Sequence, residues 1–212
     1  MLPLDDRRIE RFNSDIAGRP VLVKGPTQVL YGGMRRLSEN SVLNLKNKSH
    51  AVTAEIEVPE GGANGVLIAQ GGAFAGWSFY VHEGKPKYCH NLAGLARFYV
   101  EGSEVVPPGT HQVRMELAYD GGGLAKGGTV SIYVDGQKTG EGRVNATVPM
   151  IYSADETCDV GCDTGTSVSE DYTPSASEFT GTVNWVQLDA GDDNHDHLIS
   201  PEELMRVATT IQ

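Results

Sequence analysis

Residues 76–92, GWSFYVHEGKPKYCHNL, contain the pattern that decides the fold. Trp77, Phe79 and Val81 occupy every second position, which is the period expected of a strand with one face in a core. Residues 83–85 then supply the chemistry of a tight turn, and a second run of aromatic and apolar residues follows. The segment therefore predicts an antiparallel β-hairpin.

Similar alternation recurs on both sides of this hairpin. Residues 51–59 (AVTAEIEVP) and 111–120 (HQVRMELAYD) alternate apolar with mostly polar side chains, and residues 128–144 repeat the pattern around a turn. A first strand is predicted at residues 28–31. Strands that follow one another this often, with short turns between them, favour a mainly β protein built as an antiparallel β-sandwich.

One main domain with short helices at its ends is predicted. Residues 1–27 are assigned to an N-terminal helix and connector, residues 28–190 to the β-sandwich, and residues 191–212 to a C-terminal loop and helix. The N-terminal helix rests on LDDRRIERF at residues 4–12, where apolar side chains recur near helical spacing. The segment from Tyr152 to Phe179 lacks strand periodicity, so we predict a large surface loop and look there first for function.

The composition narrows the classes of partner. The 212 residues can bury a sizeable core, and 39% apolar residues with 26 glycines suit a turn-rich β protein. A net charge of −11 disfavours nucleic acid and anionic membranes, so neither is expected as a partner. Neither a signal peptide nor a membrane anchor is expected within this chain, because it has no suitable apolar run. Cytoplasmic and periplasmic locations both stay open.

Several stretches resemble, in sequence and order, the C-terminal region of large bacterial arylsulfatases. Residues 2–8 (LPLDDRR) look like the junction that follows the catalytic domain of those enzymes. The resemblance implies a concanavalin A-like, laminin G-like jelly roll attached to a formylglycine-dependent sulfatase. The longer matching stretches are residues 76–94, 106–144, 152–172 and 179–189.

The chain departs from that family at the catalytic motif. The family makes its nucleophile from a cysteine in a cysteine-x-proline-x-arginine signature, beside a calcium ion held by aspartates. Cys89 lies in YCHNL, and Cys158 and Cys162 lie in TCDVGCDT, without that proline and arginine. We therefore expect no catalytic residue and no sulfatase activity in this chain alone. The implied role is to pack against a sulfatase catalytic domain, in the same protein, and to shape it.

A free-standing carbohydrate- or calcium-binding module is the alternative function. Sandwiches of this class bind sugars on exposed aromatic side chains, because an aromatic face stacks on the apolar face of a pyranose. Tyr80 and His82 are predicted on the outward face of the hairpin, and with Tyr88 they form a candidate glycan platform. The competing interpretation is an ordinary sheet surface.

Residues 192–204, DDNHDHLISPEEL, come close to a calcium-binding loop. Oxygen ligands at loop positions 1, 3, 5 and 12 suit a hard cation. His197 stands where such loops have glycine, at a turn that is costly for other residues. Calcium is therefore the one candidate cofactor, and its candidate ligands are Asp192, Asn194, Asp196 and Glu203.

The same residues also fit the start of a helix. Ser200 is a suitable N-cap, Pro201 suits the first helical position, and Glu203 completes a capping box. Because a calcium loop also leads into a helix, the two interpretations are compatible and both stay open.

Acidic and thiol side chains of the Tyr152–Phe179 segment are the remaining candidates. Cys158 and Cys162, with Cys89 and His90 elsewhere, are compatible with a zinc site, a disulfide bond or free thiols, and their spacing favours free thiols. The carboxylates are either calcium ligands or a solvated acidic surface. The candidate functional residues of this loop are Asp155, Asp159, Asp163 and Asp171.

Overall fold

The computed structural model describes residues 22–191 and 197–210. One α-helix, α1 (Pro201–Thr210), is present within these residues. The strands are β1 (Thr27–Tyr31), β2 (His50–Val58), β3 (Gly65–Gly71), β4 (Gly76–His82), β5 (Lys85–Leu92), β6 (Ala96–Glu101), β7 (Gly109–Tyr119), β8 (Gly128–Val134), β9 (Gln137–Val144), β10 (Cys158–Val160) and β11 (Thr182–Ala190).

Two antiparallel sheets pack face to face. The six-stranded sheet has the order β1-β11-β2-β7-β8-β9, and the five-stranded sheet has the order β10-β3-β4-β5-β6. Side chains that alternate along the strands fill the space between the sheets. This core includes Trp77, Phe79 and Val81 from β4 and Met115 and Leu117 from β7. Each fully buried large apolar side chain stabilises the fold by roughly 1.5–3 kcal/mol.

The turns predicted from the sequence adopt the expected backbone conformation. Glu83 and Gly84 join β4 to β5 with φ of 51° and 77°, and Asp135 and Gly136 join β8 to β9 with φ of 49° and 78°. Two consecutive left-handed residues match the right-handed twist of the flanking strands. The two hairpins are therefore closed by local turn chemistry.

The outer face of the five-stranded sheet is covered by residues 161–177, here called the flap. A second apolar cluster lies beneath it, formed by Val66, Tyr80 and Cys89 of the sheet and Val168 of the flap, among others. Every residue of β3 is buried, which requires both faces of that strand to be covered. The Tyr152–Phe179 segment is thus a packed part of the fold, and it contains the short strand β10.

The C-terminal helix begins as the capping pattern predicts. The N–H of Glu203 donates to Oγ of Ser200 at 3.1 Å, and Pro201 is the first helical residue. The side-chain amide of Gln112 binds both backbone groups of buried Ile199, each at 2.8 Å. The helix predicted at residues 4–12 lies outside the described residues.

Among the helices of residues 22–191 and 197–210, none is long and apolar enough to cross a membrane.

Replacement of Gln112 by alanine should weaken the attachment of the C-terminal segment. The substitution leaves the buried N–H and C=O of Ile199 without their partner, so we expect the free energy of unfolding to fall by about 1–3 kcal/mol. Denaturant titration measures the change. Gln137→Ala is the matched control, because Gln137 is exposed on β9 and should change stability by less than about 0.5 kcal/mol. Equal losses in the two variants would contradict this attachment.

Candidate functional site

The three candidate platform residues do not share one surface. Tyr88 pairs with Phe79 across β4 and β5, so it takes the core-facing side of the sheet and is buried there. Tyr80 is on the outward side but lies beneath the flap, 1% exposed. His82 is half-buried at the end of β4. The predicted glycan platform is therefore not formed, because strand parity separates Tyr88 from the others and the flap covers Tyr80.

Polar contacts hold the flap closed over the sheet. The hydroxyl of Tyr80 donates to Oδ2 of Asp171 at 2.5 Å, and Nζ of Lys87 lies 2.8 Å from the same oxygen. Arg97 donates from Nε to the carbonyl oxygen of Val168 at 2.9 Å and pairs with Glu170. These contacts join the flap to β4, β5 and β6, so the sheet face beneath it is not open to a ligand.

The buried aspartates of the segment organise its backbone. Asp159 accepts hydrogen bonds from the N–H groups of Arg36 and Thr164, at 2.6 and 3.0 Å. Asp163 accepts from the N–H of Val168 at 3.0 Å and from the hydroxyl of Tyr172 at 2.8 Å. A carboxylate satisfied by backbone donors stabilises an irregular loop.

These aspartates do not converge on a common point. Asp171 is paired with Lys87, and Asp155 is exposed, with its N–H bonded to Ser153. In the part of the chain that the structure describes, no three histidine, cysteine, aspartate or glutamate residues are grouped to hold a metal ion. The four candidate loop residues therefore serve separate contacts.

The three cysteines are free and buried. Burial raises the pKa of Cys89 to about 12 and also raises the pKa of Cys158 well above its usual value. Their thiols are protonated at neutral pH, which makes them poor nucleophiles and poor metal ligands. The free-thiol interpretation agrees with this arrangement, and neither the disulfide bond nor a zinc group is found among the described residues.

Only part of the candidate calcium loop is described. Asp192, Asn194 and Asp196 lie outside the described residues. His197 adopts the left-handed conformation, with φ of 60°, and its ring stacks on Tyr133 at 4.1 Å. The carboxylate of Glu203 is bound by the guanidinium of Arg206, at 2.5 and 2.9 Å. Calcium binding thus stays a prediction, while the helix start has the predicted cap.

An open cleft of about 270 Å³ lies at the edge of the sandwich, beside the end of β1; we call it the edge cleft. The main chain approaches so closely here that a Cβ on Gly32 would lie 2.0 Å from the carbonyl oxygen of Val183. A Cβ on Gly181 would likewise lie 2.3 Å from the carbonyl oxygen of Glu57. Glycine is therefore required at both positions. The lining residues are Gly32, Gly33, Arg35, Val160, Gly161, Glu178, Phe179, Gly181, Thr182 and Val183.

The mouth of the edge cleft carries one ion pair. Nη2 of Arg35 lies 2.8 Å from Oε1 of Glu178, and both side chains are exposed. Glu178 is also the main cause that raises the pKa of Arg35. Buried Val160, Phe179 and Val183 supply apolar lining. The edge cleft thus combines hydrogen-bonding groups at its mouth with apolar side chains, an arrangement suited to a small polar ligand.

Buried contacts position the wall that bears Arg35. The N–H of Val160 donates to the carbonyl oxygen of Met34 at 2.8 Å, and Leu37 pairs with Cys158. Asp159 binds the N–H of Arg36 from the same strand. Sequence reasoning missed this site, although Gly32 and Gly181 mark places where chains approach closely.

No family model and no curated protein matches this sequence. Solved structures of similar fold include the CBM40 of the Ruminococcus gnavus IT-sialidase bound to alpha2,3 sialyllactose, at 12% identity and a TM-score of 0.51, covering 89% of this chain and 99% of that one. NanB plus Optactamide matches at 12% identity and a TM-score of 0.52, covering 85% and 27% of the two chains. Mouse laminin alpha1 domains LG4-5 match at 14% identity and a TM-score of 0.48, covering 77% and 42%.

The comparisons establish the fold class. The chain is a mainly β, two-sheet antiparallel sandwich with a fold similar to that of the CBM40 domain, which confirms the β-sandwich predicted from the sequence. At 12% identity this likeness shows the fold alone. The expected arylsulfatase parent gains no support from these structures.

The buried carboxyl group of Asp163 should make stability depend on pH. Burial raises its pKa from 3.8 to about 6. Because the folded pKa is the higher one, this contribution to stability is complete below about pH 4 and is lost as pH rises through about 6, by roughly 3 kcal/mol. The asparagine of Asp163→Asn does not ionise, so this variant should not undergo that loss. Its free energy of unfolding should therefore rise relative to that of the parent protein by the same amount as pH increases from about 4 to above 6, which denaturant titrations would measure. Asp155→Asn, at an exposed position, should have the same pH dependence of stability as the parent protein. If Asp163→Asn also had that pH dependence, Asp163 would not be its source.

Proposed function

We propose that this chain is a non-catalytic, glycan-binding module with the edge cleft as its binding site. The observation that carries the proposal is the edge cleft itself, where a polar mouth joins an apolar lining. A CBM40 of similar fold is bound to sialyllactose, which supports glycans as the ligand class.

The size of the edge cleft favours a single sugar unit. Pockets that enclose drug-sized ligands have volumes of about 300–1,000 Å³, and this cleft of about 270 Å³ is smaller. Its open side lets the rest of a glycan chain extend into solvent. The nonpolar face of a sugar ring can contact the small exposed parts of Phe179 and Val183, and its hydroxyl groups suit Arg35, Glu178 and Thr182.

The buried cysteines and aspartates do not support a catalytic role. The thiols of Cys89 and Cys158 are buried with raised pKa values, so they are not activated nucleophiles. The buried carboxylates of Asp159 and Asp163 are occupied by hydrogen bonds from their own segment and from the N–H of Arg36. These side chains support the shape of the protein.

A bulky side chain in the edge cleft should abolish glycan binding. Thr182 is exposed and lines the cleft, so Thr182→Tyr should weaken glycan binding at least about tenfold. A glycan array first identifies the glycans that bind, and titration calorimetry then measures their affinity for the parent protein and the variant. Thr110→Tyr is the control, since Thr110 is exposed on β7 outside the cleft, and should change affinity by less than about twofold. If no glycan on the array bound the protein, the proposed glycan-binding function would be wrong. If Thr182→Tyr bound glycans with unchanged affinity, the edge cleft would not be the binding site.

Docking to a catalytic domain is the second candidate function, and one apolar surface favours it. Phe74 and Leu95 are 70% and 87% exposed at the tips of the β3–β4 and β5–β6 loops. The amide of Asn91 ties the tips together, since it donates to the carbonyl oxygens of Gly72 and Ala73 at 2.8 and 3.0 Å. Rigid exposed apolar side chains are typical of interface anchors, and the arylsulfatase resemblance supplies the partner.

The docking function predicts a larger natural polypeptide. The natural polypeptide that contains this domain should have a mass several times the 22.7 kDa of this chain. Immunodetection of the protein in extracts of the source organism would measure that mass. In that longer protein, Phe74→Ser with Leu95→Ser should lower the unfolding temperature of the contacting domains. The same pair of changes in the isolated chain should alter stability by less than about 0.5 kcal/mol per site, because both side chains are exposed there. A natural polypeptide of 22.7 kDa would exclude docking within one protein.

A further inference from the structure

The charges around the edge cleft bear on which sugars it accepts. Arg35 is the one cation among its lining residues, and Glu178 is the one anion. Their side chains are paired at 2.8 Å, so the mouth has no net charge. The neighbouring Asp159 adds negative potential at Arg35, and the whole chain has a net charge of −11. An acidic sugar would need a free cation, and the lining supplies none.

The same ion pair is well suited to two adjacent hydroxyl groups. A guanidinium has five N–H donors, and a carboxylate has about four acceptor sites. The hydrogen bond between Arg35 and Glu178 uses one of each, and neither group has another hydrogen bond among the described residues. One hydroxyl can accept from Arg35 while its neighbour donates to Glu178. Hydrogen bonds to ionised groups are stronger than neutral ones, so this arrangement contributes to both affinity and orientation.

We infer that the edge cleft selects an uncharged sugar with two adjacent free hydroxyl groups and rejects sialylated or other acidic sugars. This inference rests on the proposed glycan-binding function and adds the chemical class of the ligand. Arg35 binds the ligand as a donor, and Glu178 has two roles. Its carboxylate accepts from the sugar, and it neutralises Arg35, which would otherwise attract an acidic ligand.

Removal of the negative charge of Glu178 should shift the selectivity of the edge cleft from neutral toward sialylated sugars. Glu178→Gln keeps the size of the side chain and loses its charge, so Arg35 becomes an uncompensated cation. We expect the affinity for neutral sugars to fall by about threefold to tenfold and the affinity for sialylated sugars to rise. Arg35→Gln should weaken binding of neutral sugars without this rise. Exposed ion pairs add little to stability, so both variants should fold, as circular dichroism would verify.

The experiment compares matched ligands on the whole chain. Lactose, alpha2,3 sialyllactose and the methyl glycosides of galactose, glucose and mannose are titrated by calorimetry against the parent protein and both variants. The parent protein should bind at least one of the neutral sugars. It should bind sialyllactose at least about tenfold more weakly than that neutral sugar. Asp120→Asn is the matched control, because Asp120 pairs with Arg143 at the β7–β8 turn, away from the lining residues, and it should leave every affinity unchanged.

Each outcome separates the two claims. Tighter binding of sialyllactose than of every neutral sugar would overturn the inference while leaving glycan binding intact. An unchanged ratio of neutral to sialylated affinity in Glu178→Gln would also overturn it, because the pair would then not control selectivity. Failure of the parent protein to bind any of the sugars, on a wider glycan array as well, would overturn the proposed function and this inference with it.

Discussion

The closure of the flap over the five-stranded sheet is the constraint on which the rest of the structure depends. The outer face of that sheet is apolar, with Val66, Tyr80 and Cys89, so it must be covered. The flap supplies Val168 for that purpose. Because this sheet face is filled by the chain's own residues, it is closed to a ligand.

Covering an apolar sheet with irregular chain requires partners for many backbone groups, and buried carboxylates provide them. Asp159 and Asp163 accept N–H donors from the segment itself and from the Met34–Leu37 stretch. The burial of Asp163 raises its pKa, so ionisation of this carboxyl group near neutral pH lowers the stability of the fold. The two buried aspartates are thus explained by the backbone groups that they bind.

The edge cleft is a product of this same packing. Three separate stretches meet there: residues 32–35 after β1, residues 160–161 at the end of β10, and residues 178–183 leading into β11. Asp159 positions the first of them through the N–H of Arg36, and Gly32 and Gly181 allow close approach. The recognition that we propose for this cleft therefore relies on hydrogen bonds to one neutralised ion pair and not on net charge.

Local elements could be predicted from neighbouring residues, whereas the candidate site arises from contacts between distant segments. Alternation, the turns at Glu83–Gly84 and Asp135–Gly136, and the cap at Ser200 depend on neighbouring residues, so they were predictable. The exclusion of Tyr88 from the outward face depends on register against β4, and the burial of Tyr80 depends on Asp171, 91 residues away. Arg35 and Glu178 meet across 143 residues. Contacts of that range leave no periodic signal, because they arise only when the sheets and the flap have packed.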